Sequence, residues 1–261
     1  EISKTLGGKD SAHVWRALDQ VTAERPVLLK RDPALHKYSV QAFKVRTVPG
    51  NAIQIHPLVT GGYNADFDGD AMSVFVPIHQ DAVAEARKMF PSNNLFSEAT
   101  GKVAFQPTLE SALGLFKLSR IGKETDHKFA HPGAALVAVQ QGKIRIEDVV
   151  HVGGQKTTAG RVLLAAALPE PMQHKVLTDF DYRIDKKGLD SLLTDLAKKH
   201  SGDFGPVVNK LKDLGNGTSF GAVAVPRPSD AGHSFDFHKK NGLAAATVPE
   251  GKNVFIPVGT H

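Results

Sequence analysis

The sequence predicts an α+β chain in which a strand-rich part precedes a mainly helical part. Between residues 27 and 76, short apolar runs alternate with turn signals at Asp32-Pro33, Pro49-Gly50 and Gly61-Gly62, a pattern typical of strands. After residue 80, apolar residues recur at helical spacing in several longer stretches. With 261 residues, 41% of them apolar, the chain can bury a sizeable core in one or two domains.

The first predicted element is a helix over residues 11–24, where apolar residues recur at helical spacing and Asp10 can cap the first turn. The pattern next predicts strands at residues 52–55, 57–59 and 72–76. These strands are expected to place the acidic segment that lies between them among buried elements.

The second part of the chain is predicted to be helical. A stripe of leucines in the segment after residue 188 is typical of a helix that faces a core. Helices are predicted at residues 80–90, 109–119, 132–140, 161–168, 189–199 and 206–214. The predicted domains are an N-terminal helix (1–26), a strand-rich part with the acidic loop (27–80), a helical region (81–226) and C-terminal loops and short strands (227–261).

The acidic segment carries three carboxylates, Asp66, Asp68 and Asp70, spaced two residues apart around Gly69. On an ideal strand, such residues point to one face about 6.6 Å apart, too far for all of them to hold one ion. We therefore expect the segment to curl at Gly69, where a missing side chain permits unusual dihedrals. Ligands that are all oxygen suit Mg²⁺ and argue against zinc.

The segment admits two other interpretations. A run rich in Asp and Gly is often a solvated turn, but the predicted buried strands on both sides count against that interpretation. An EF-hand fails on spacing, because with Asp66 at the first position Ala71 and Pro77 occupy the places of the required glycine and bidentate acid.

Residues 64–72, Asn-Ala-Asp-Phe-Asp-Gly-Asp-Ala-Met, resemble the signature of the largest, catalytic subunit of multisubunit DNA-dependent RNA polymerases, called beta-prime in bacteria. The family usually has Gln where this chain has Ala71. Upstream, residues 25–36 are similar to the family's Pro-Val-Leu-Leu-Asn-Arg-Ala-Pro-Thr-Leu-His, with departures that include Lys30 and Asp32. Weaker similarities, at residues 157–161 and 217–221, follow in the family's order.

The resemblance implies that the strand-rich part belongs to a double-psi β-barrel that carries the catalytic Asp loop, and that a pore- and F-loop-like helical region follows. It implies DNA-dependent RNA synthesis with Mg²⁺ ions held by Asp66, Asp68 and Asp70. Arg31 and Asn64 are expected near the ribose of the incoming nucleotide, where they can hydrogen-bond its 2′-hydroxyl. Phe67 is expected to pack inward and anchor the loop.

The expected partners are the second-largest subunit, the remaining parts of the largest subunit, DNA template, RNA product and nucleoside triphosphates, with no membrane and a cytoplasmic location. The family's bridge-helix and trigger-loop patterns are not visible in the sequence. We therefore expect a piece of a longer subunit, or a largest subunit split among several chains as in some large bacteriophages.

The composition is compatible with these expectations. The net charge of +5 suits a phosphate-rich partner, and the absence of cysteine removes disulfide and thiolate metal sites. Among the 12 histidines, His127 and His131 are four apart, but two histidines without a third ligand do not predict zinc. The alternative function is a noncatalytic module that binds metal or nucleic acid and keeps the acidic loop without turnover.

Overall fold

The computed structural model describes residues 11–48 and 51–219. They belong to two compact units, the first ending at Phe105 and the second beginning at Gln106. The predicted C-terminal loops and short strands at residues 227–261, and the last residues of the predicted helical region, lie outside the described residues.

Among its described residues, the first unit combines a small sheet with three α-helices. Its elements are α1 (Ser11–Glu24), β1 (Pro26–Lys30), β2 (Val40–Lys44), α2 (Pro57–Tyr63), β3 (Ser73–Phe75) and α3 (Gln80–Lys88). The strand order is β2-β1-β3, and β1 pairs antiparallel with both neighbours. Leu29 of β1 is 1% exposed and Phe43 of β2 is 3% exposed, so the sheet buries one face in the core of the unit.

The predicted helix at residues 11–24 and the centre of the predicted strand at residues 72–76 are confirmed as α1 and β3. The strand predicted at residues 57–59 is wrong, because Pro57 and the two glycines that resembled a turn belong to helix α2. His56 starts this helix, since its Nδ1 accepts a hydrogen bond from the backbone N–H of Leu58 at 3.1 Å. Of residues 52–55, only Gln54 makes a β-bridge.

The described part of the first unit contains an open three-stranded sheet, and the predicted double-psi barrel is not confirmed. All three residues of β3 are exposed. The expectation that buried strands flank the acidic segment is therefore wrong, because a helix precedes it and an exposed edge strand follows it.

The second unit contains a second sheet and most of the helices. Its elements are α4 (Leu109–Ser119), β4 (Glu124–Phe129), α5 (Pro132–Gln140), β5 (Val149–Val152), β6 (Gln155–Thr158), α6 (Ala159–Ala166), α7 (Glu170–Thr178), α8 (Lys186–Lys199) and α9 (Phe204–Ser219). In the order β4-β5-β6, β4 pairs parallel with β5, and β5 pairs antiparallel with β6.

The helices predicted in this unit are confirmed, with ends that shift by a few residues. The sheet and helix α7 were not predicted. Strand β4 is almost wholly exposed and polar, so it lacks the apolar alternation that marks a strand. The β5–β6 hairpin turns at Gly153-Gly154, both with positive φ, a turn signal that the sequence does carry.

Arg161 of α6 connects several segments of the second unit. Its side chain is fully buried. Nη1 donates to the carbonyl oxygens of Val176 at 2.8 Å and Asp179 at 2.7 Å. Nη2 donates to the carbonyl oxygens of Ser119 at 3.1 Å and Tyr182 at 2.6 Å. The guanidinium therefore satisfies the carbonyl oxygens of Ser119 and Val176, which lie in the last turns of α4 and α7 and have no partners within those helices, and two more carbonyl oxygens in the segment after α7.

Helices α4 and α9 pack through small residues. A Cβ atom added to Gly114 of α4 would lie 1.8 Å from the carbonyl oxygen of Gly215 in α9. A Cβ atom added to Gly215 would lie 2.1 Å from the carbonyl oxygen of Ser111. The two backbones are in contact at this crossing, which leaves no room for a side chain on either glycine.

We predict that Gly114→Ala destabilises the second unit by about 1–3 kcal/mol, because the new methyl group must force the helices apart. Gly205→Ala in α9 is the matched control, since no atom lies within 4 Å of its added Cβ. That substitution should be neutral or slightly stabilising. Hydrogen–deuterium exchange of the peptides that cover α4 and α9 checks both, and equal protection in the two variants would contradict the packing argument.

Candidate metal centre

Both ends of the acidic loop are tied to strand β1. Before the loop, the hydroxyl of buried Tyr63 donates to the carbonyl oxygen of Leu29 at 3.1 Å. After the loop, Ser73 pairs with Lys30 in the register of β1 and β3. Tyr63 was not identified from the sequence, because its anchoring role becomes visible only when helix α2 is known.

Asn64 sets the direction in which the chain leaves helix α2. Its backbone is left-handed, with φ 49° and ψ 44°, and its N–H donates to the carbonyl oxygens of Thr60 and Gly61. A left-handed residue is a common way to end a helix, and Asn adopts it more readily than most side chains. Asn64 itself is exposed at the first position of the loop.

The three carboxylates converge as the spacing predicts. One oxygen each from Asp66, Asp68 and Asp70 lies within 4.8 Å of the others. Gly69 has φ +117°, so the predicted turn at this residue is confirmed. Oxygen ligands of one Mg²⁺ ion lie about 2.0–2.1 Å from it in an octahedron, so a small inward movement of these oxygens suffices to share an ion.

The loop lies on the surface of the first unit. Asp66 and Asp68 are exposed, and Asp70 is half-buried. The expectation that Phe67 anchors the loop by inward packing is wrong, because its side chain is 42% exposed. The loop is held by backbone geometry and by the residues at its two ends, and not by its aromatic residue.

Arg31 forms a two-point ion pair with Asp70. Arg31 Nε lies 2.7 Å from Asp70 Oδ2, and Arg31 Nη2 lies 3.2 Å from Asp70 Oδ1. The backbone N–H of Asp66 also donates to Asp70 Oδ2 at 3.3 Å. Hydrogen bonding from Arg31 lowers the pKa of the Asp70 carboxyl and raises the pKa of Arg31.

Asp68 has the opposite environment. A hydrogen bond shared with Asp66, together with the charge of Asp66, raises the pKa of the Asp68 carboxyl. Like charges at this distance disfavour the ionised form, whereas a guanidinium favours it. The loop therefore has one carboxylate stabilised by a cation and two that repel each other.

The structure thus brings Arg31 to the acidic loop and places Asn64 at the loop's first residue. The roles of these two residues at a ribose stay predictions, as does the role of the three aspartates as catalytic ligands. Within residues 11–48 and 51–219, these aspartates form the only group of three or more His, Cys, Asp or Glu side chains close enough to share a metal ion. None of the helices in the described ranges is both long and apolar enough to cross a membrane.

The chain is similar to bacterial RNA polymerase subunits. Residues 8–91 match the family described as RNA polymerase Rpb1, domain 2. The DNA-directed RNA polymerase subunit beta' of Thermotoga maritima is 36% identical over 233 residues, covering 82% of this chain. That of Syntrophobacter fumaroxidans is 37% identical over 225 residues, covering 82% of this chain, and that of a Nocardioides species is 36% identical over 227 residues, covering 77%.

These similarities define the class of protein, a relative of the subunits of DNA-directed RNA polymerases. The chain belongs to the family of largest RNA polymerase subunits and is a beta'-type segment. It spans 14% of the length of the Thermotoga maritima subunit, 16% of the Syntrophobacter fumaroxidans subunit and 17% of the Nocardioides subunit.

The two environments within the loop lead to opposite predictions for stability without metal. Asp70→Asn should lower the melting temperature, because Arg31 loses its charged partner. Asp68→Asn should raise it or leave it unchanged, because it relieves repulsion with Asp66. Melting of the full chain in the presence of a chelator checks both, and a lower melting temperature for Asp68→Asn would mean that this carboxylate stabilises the loop.

Proposed function

We propose that this chain is the catalytic segment of a DNA-dependent RNA polymerase, which adds ribonucleotides to the RNA 3′ end on a DNA template. The observation that carries the proposal is the convergence of Asp66, Asp68 and Asp70 in a loop whose sequence resembles the family's catalytic signature. Family membership alone supports a polymerase component, and the loop supports the catalytic role within it.

The residues of the loop fit Mg²⁺ as the cofactor. Their donor set is entirely carboxylate oxygen, which a small hard cation prefers. Asp66, Asp68 and Asp70 would hold one such ion and lend ligands to a second, while Gly69 lets the backbone bring the three carboxylates together. Bound there, the ions would supply positive charge that activates an attacking hydroxyl and neutralises a leaving oxygen.

Arg31 and Asn64 are proposed to bind the ribose of the incoming nucleotide. Arg31 reaches the loop with its guanidinium, and Asn64 presents an amide at the loop's first residue. A guanidinium fork and an amide both offer N–H donors that a ribose hydroxyl can accept. Because deoxynucleotides lack the 2′-hydroxyl, these contacts would select RNA over DNA precursors.

The first unit is proposed to be a portion of a double-psi β-barrel that other strands complete. Strand β3 lies at the end of the sheet order, so its outer edge has no strand partner within the described residues. Val74, Phe75 and Val76 are each at least 50% exposed, and Ile78 is 75% exposed. Soluble proteins normally cover such edges and such apolar surface.

The proposed partners are therefore the second-largest subunit and further parts of the largest subunit, with DNA template, RNA product and nucleoside triphosphates as ligands. The proposed location is the cytoplasm. The second candidate function is a noncatalytic module that binds metal or nucleic acid. The ion pair between Arg31 and Asp70 favours it, because that pair already neutralises one carboxylate without a metal ion.

The deciding experiment removes one carboxylate. In an assembly reconstituted with the subunits that complete the polymerase, Asp68→Ala should reduce the rate of nucleotide addition by more than about a hundredfold. Residues that only hydrogen-bond to metal ligands already change activity by up to about a hundredfold when they are replaced, and a ligand itself should matter more. Asp81→Ala is the control, an exposed aspartate of helix α3 outside the loop. Primer extension measures both. Near wild-type extension with Asp68→Ala would favour the noncatalytic module.

The sugar contact is tested at Asn64. Because Asn64 is left-handed, Asn64→Ala would combine backbone strain with loss of the amide, whereas Asn64→Gly removes the amide and keeps the conformation. We predict that Asn64→Gly lowers the preference for ribonucleotides by about tenfold, the value of one hydrogen bond. Matched incorporation of ribo- and deoxynucleotides measures this, and an unchanged preference would limit Asn64 to ending helix α2.

A further inference from the structure

The contact between Arg31 and Asp70 places a cation where the proposed metal needs a ligand. Both oxygens of the Asp70 carboxylate accept hydrogen bonds from the guanidinium. The side chains of Arg31 and Asp70 are only 19% and 23% exposed, so water screens this pair less than a fully exposed one. Arg31 is also fixed through its backbone, since its N–H donates to the carbonyl oxygen of Ser39 at 3.2 Å.

A divalent ion and the guanidinium compete for Asp70. A carboxylate oxygen has further lone pairs, but a cation that shares Asp70 with Arg31 would lie a few ångströms from a like charge. The ion can bind Asp66 and Asp68, whose mutual repulsion it relieves, and can attract Asp70 away from the guanidinium of Arg31. Arg31 would then lose its partner while remaining beside the loop.

We propose that Arg31 is a metal-responsive latch. Without metal, its ion pair with Asp70 holds the carboxylate of that residue in place. A divalent ion displaces the guanidinium from Asp70 and frees it to bind nucleotide. This inference rests on the proposed function, because it takes the ion to be the one that Asp66, Asp68 and Asp70 hold. If Arg31 is such a latch, replacing it changes the affinity of the loop for metal, which replacing a residue that only binds ribose would not do. The latch also orders the two events, with metal first and sugar recognition second.

The first test measures Mn²⁺ affinity by electron paramagnetic resonance. The protein is the full chain with the subunits that co-purify with it, and the binding that Asp68→Asn removes is assigned to the loop. Arg31→Gln should tighten this binding about two- to fivefold, the range expected for freeing a carboxylate from a partly screened pair. Arg31→Lys, which keeps the charge and loses the fork, should fall between Arg31→Gln and wild type.

Lys30→Gln is the matched control. It removes the same charge one residue away, but Lys30 pairs with Asp32 at 2.8 Å and not with the loop. Its Mn²⁺ affinity should stay at the wild-type value. Equal tightening in Lys30→Gln and Arg31→Gln would reduce the effect to net charge and overturn the latch.

The remaining outcomes separate the latch from the proposed function. Loop-specific Mn²⁺ binding that Arg31→Gln leaves unchanged or weakens overturns the latch and leaves the metal site standing. The absence of any loop-specific binding, in wild type and variants alike, overturns the proposed function and the latch with it.

A second measurement needs no substitution and therefore does not depend on a variant that folds. Phenylglyoxal modifies arginine side chains, and peptide mass spectrometry measures the modification at each site. Mg²⁺ should increase the modification of Arg31 relative to exposed Arg25, because the ion releases the fork from Asp70. Unchanged or decreased labelling of Arg31 on saturation with Mg²⁺ overturns the latch.

Discussion

The crowding of three carboxylates, with one oxygen of each within 4.8 Å of the others, is the constraint that the contacts around the acidic loop must balance. Left to itself, such a loop would spread until water and salt screened the charges. The chain prevents this at both ends, since Tyr63 bonds to β1 before the loop and β3 pairs with β1 after it. A cation must balance the negative charge that these contacts leave, and Arg31 balances the charge of Asp70.

The position of Arg31 follows from the register of the sheet. Lys30 pairs with Ser73, so the antiparallel register continued by one residue puts Arg31 opposite Met72. Asp70 comes two residues before Met72 in the chain, on the diagonal from Arg31. Diagonal neighbours at this separation are within reach of a long side chain. The same register that aligns β1 and β3 therefore delivers a guanidinium to the acidic loop, and the ion pair is a consequence of the strand pairing.

The sequence predicts the local features of this arrangement better than the tertiary ones. The turn at Gly69 follows from charge spacing alone, and helix α1 follows from apolar spacing. Helix α2 was missed because its Gly61-Gly62 pair resembles a turn. Gly62 in fact permits a close approach, since a Cβ atom there would lie 2.9 Å from Nε2 of Gln41.

Contacts between distant residues explain the other differences. Arg31 and Asp70 are 39 residues apart, and only the register of β1 and β3 shows that they meet. Buried Arg161 is a second case, because a lone arginine in a helical stretch carries no signal that four carbonyl groups surround it. Patterns of apolar residues predict elements, whereas polar partners depend on how those elements pack.

The exposure of the loop links metal binding to assembly. Charges in water attract a hydrated dication weakly, and the attraction grows when neighbouring protein lowers the local dielectric. The apolar edge of β3, which begins three residues after Asp70, is the surface that proposed partner strands would cover. Covering it would lower the dielectric around Asp70 and strengthen its interaction with whichever cation it holds.

Because linkage is reciprocal, an ion that binds more tightly in the assembled state also stabilises the assembly. Under the proposed function, metal binding and subunit association are therefore linked by one coupling free energy. Arg31 affects that coupling because it contacts Asp70, the carboxylate nearest to the apolar edge.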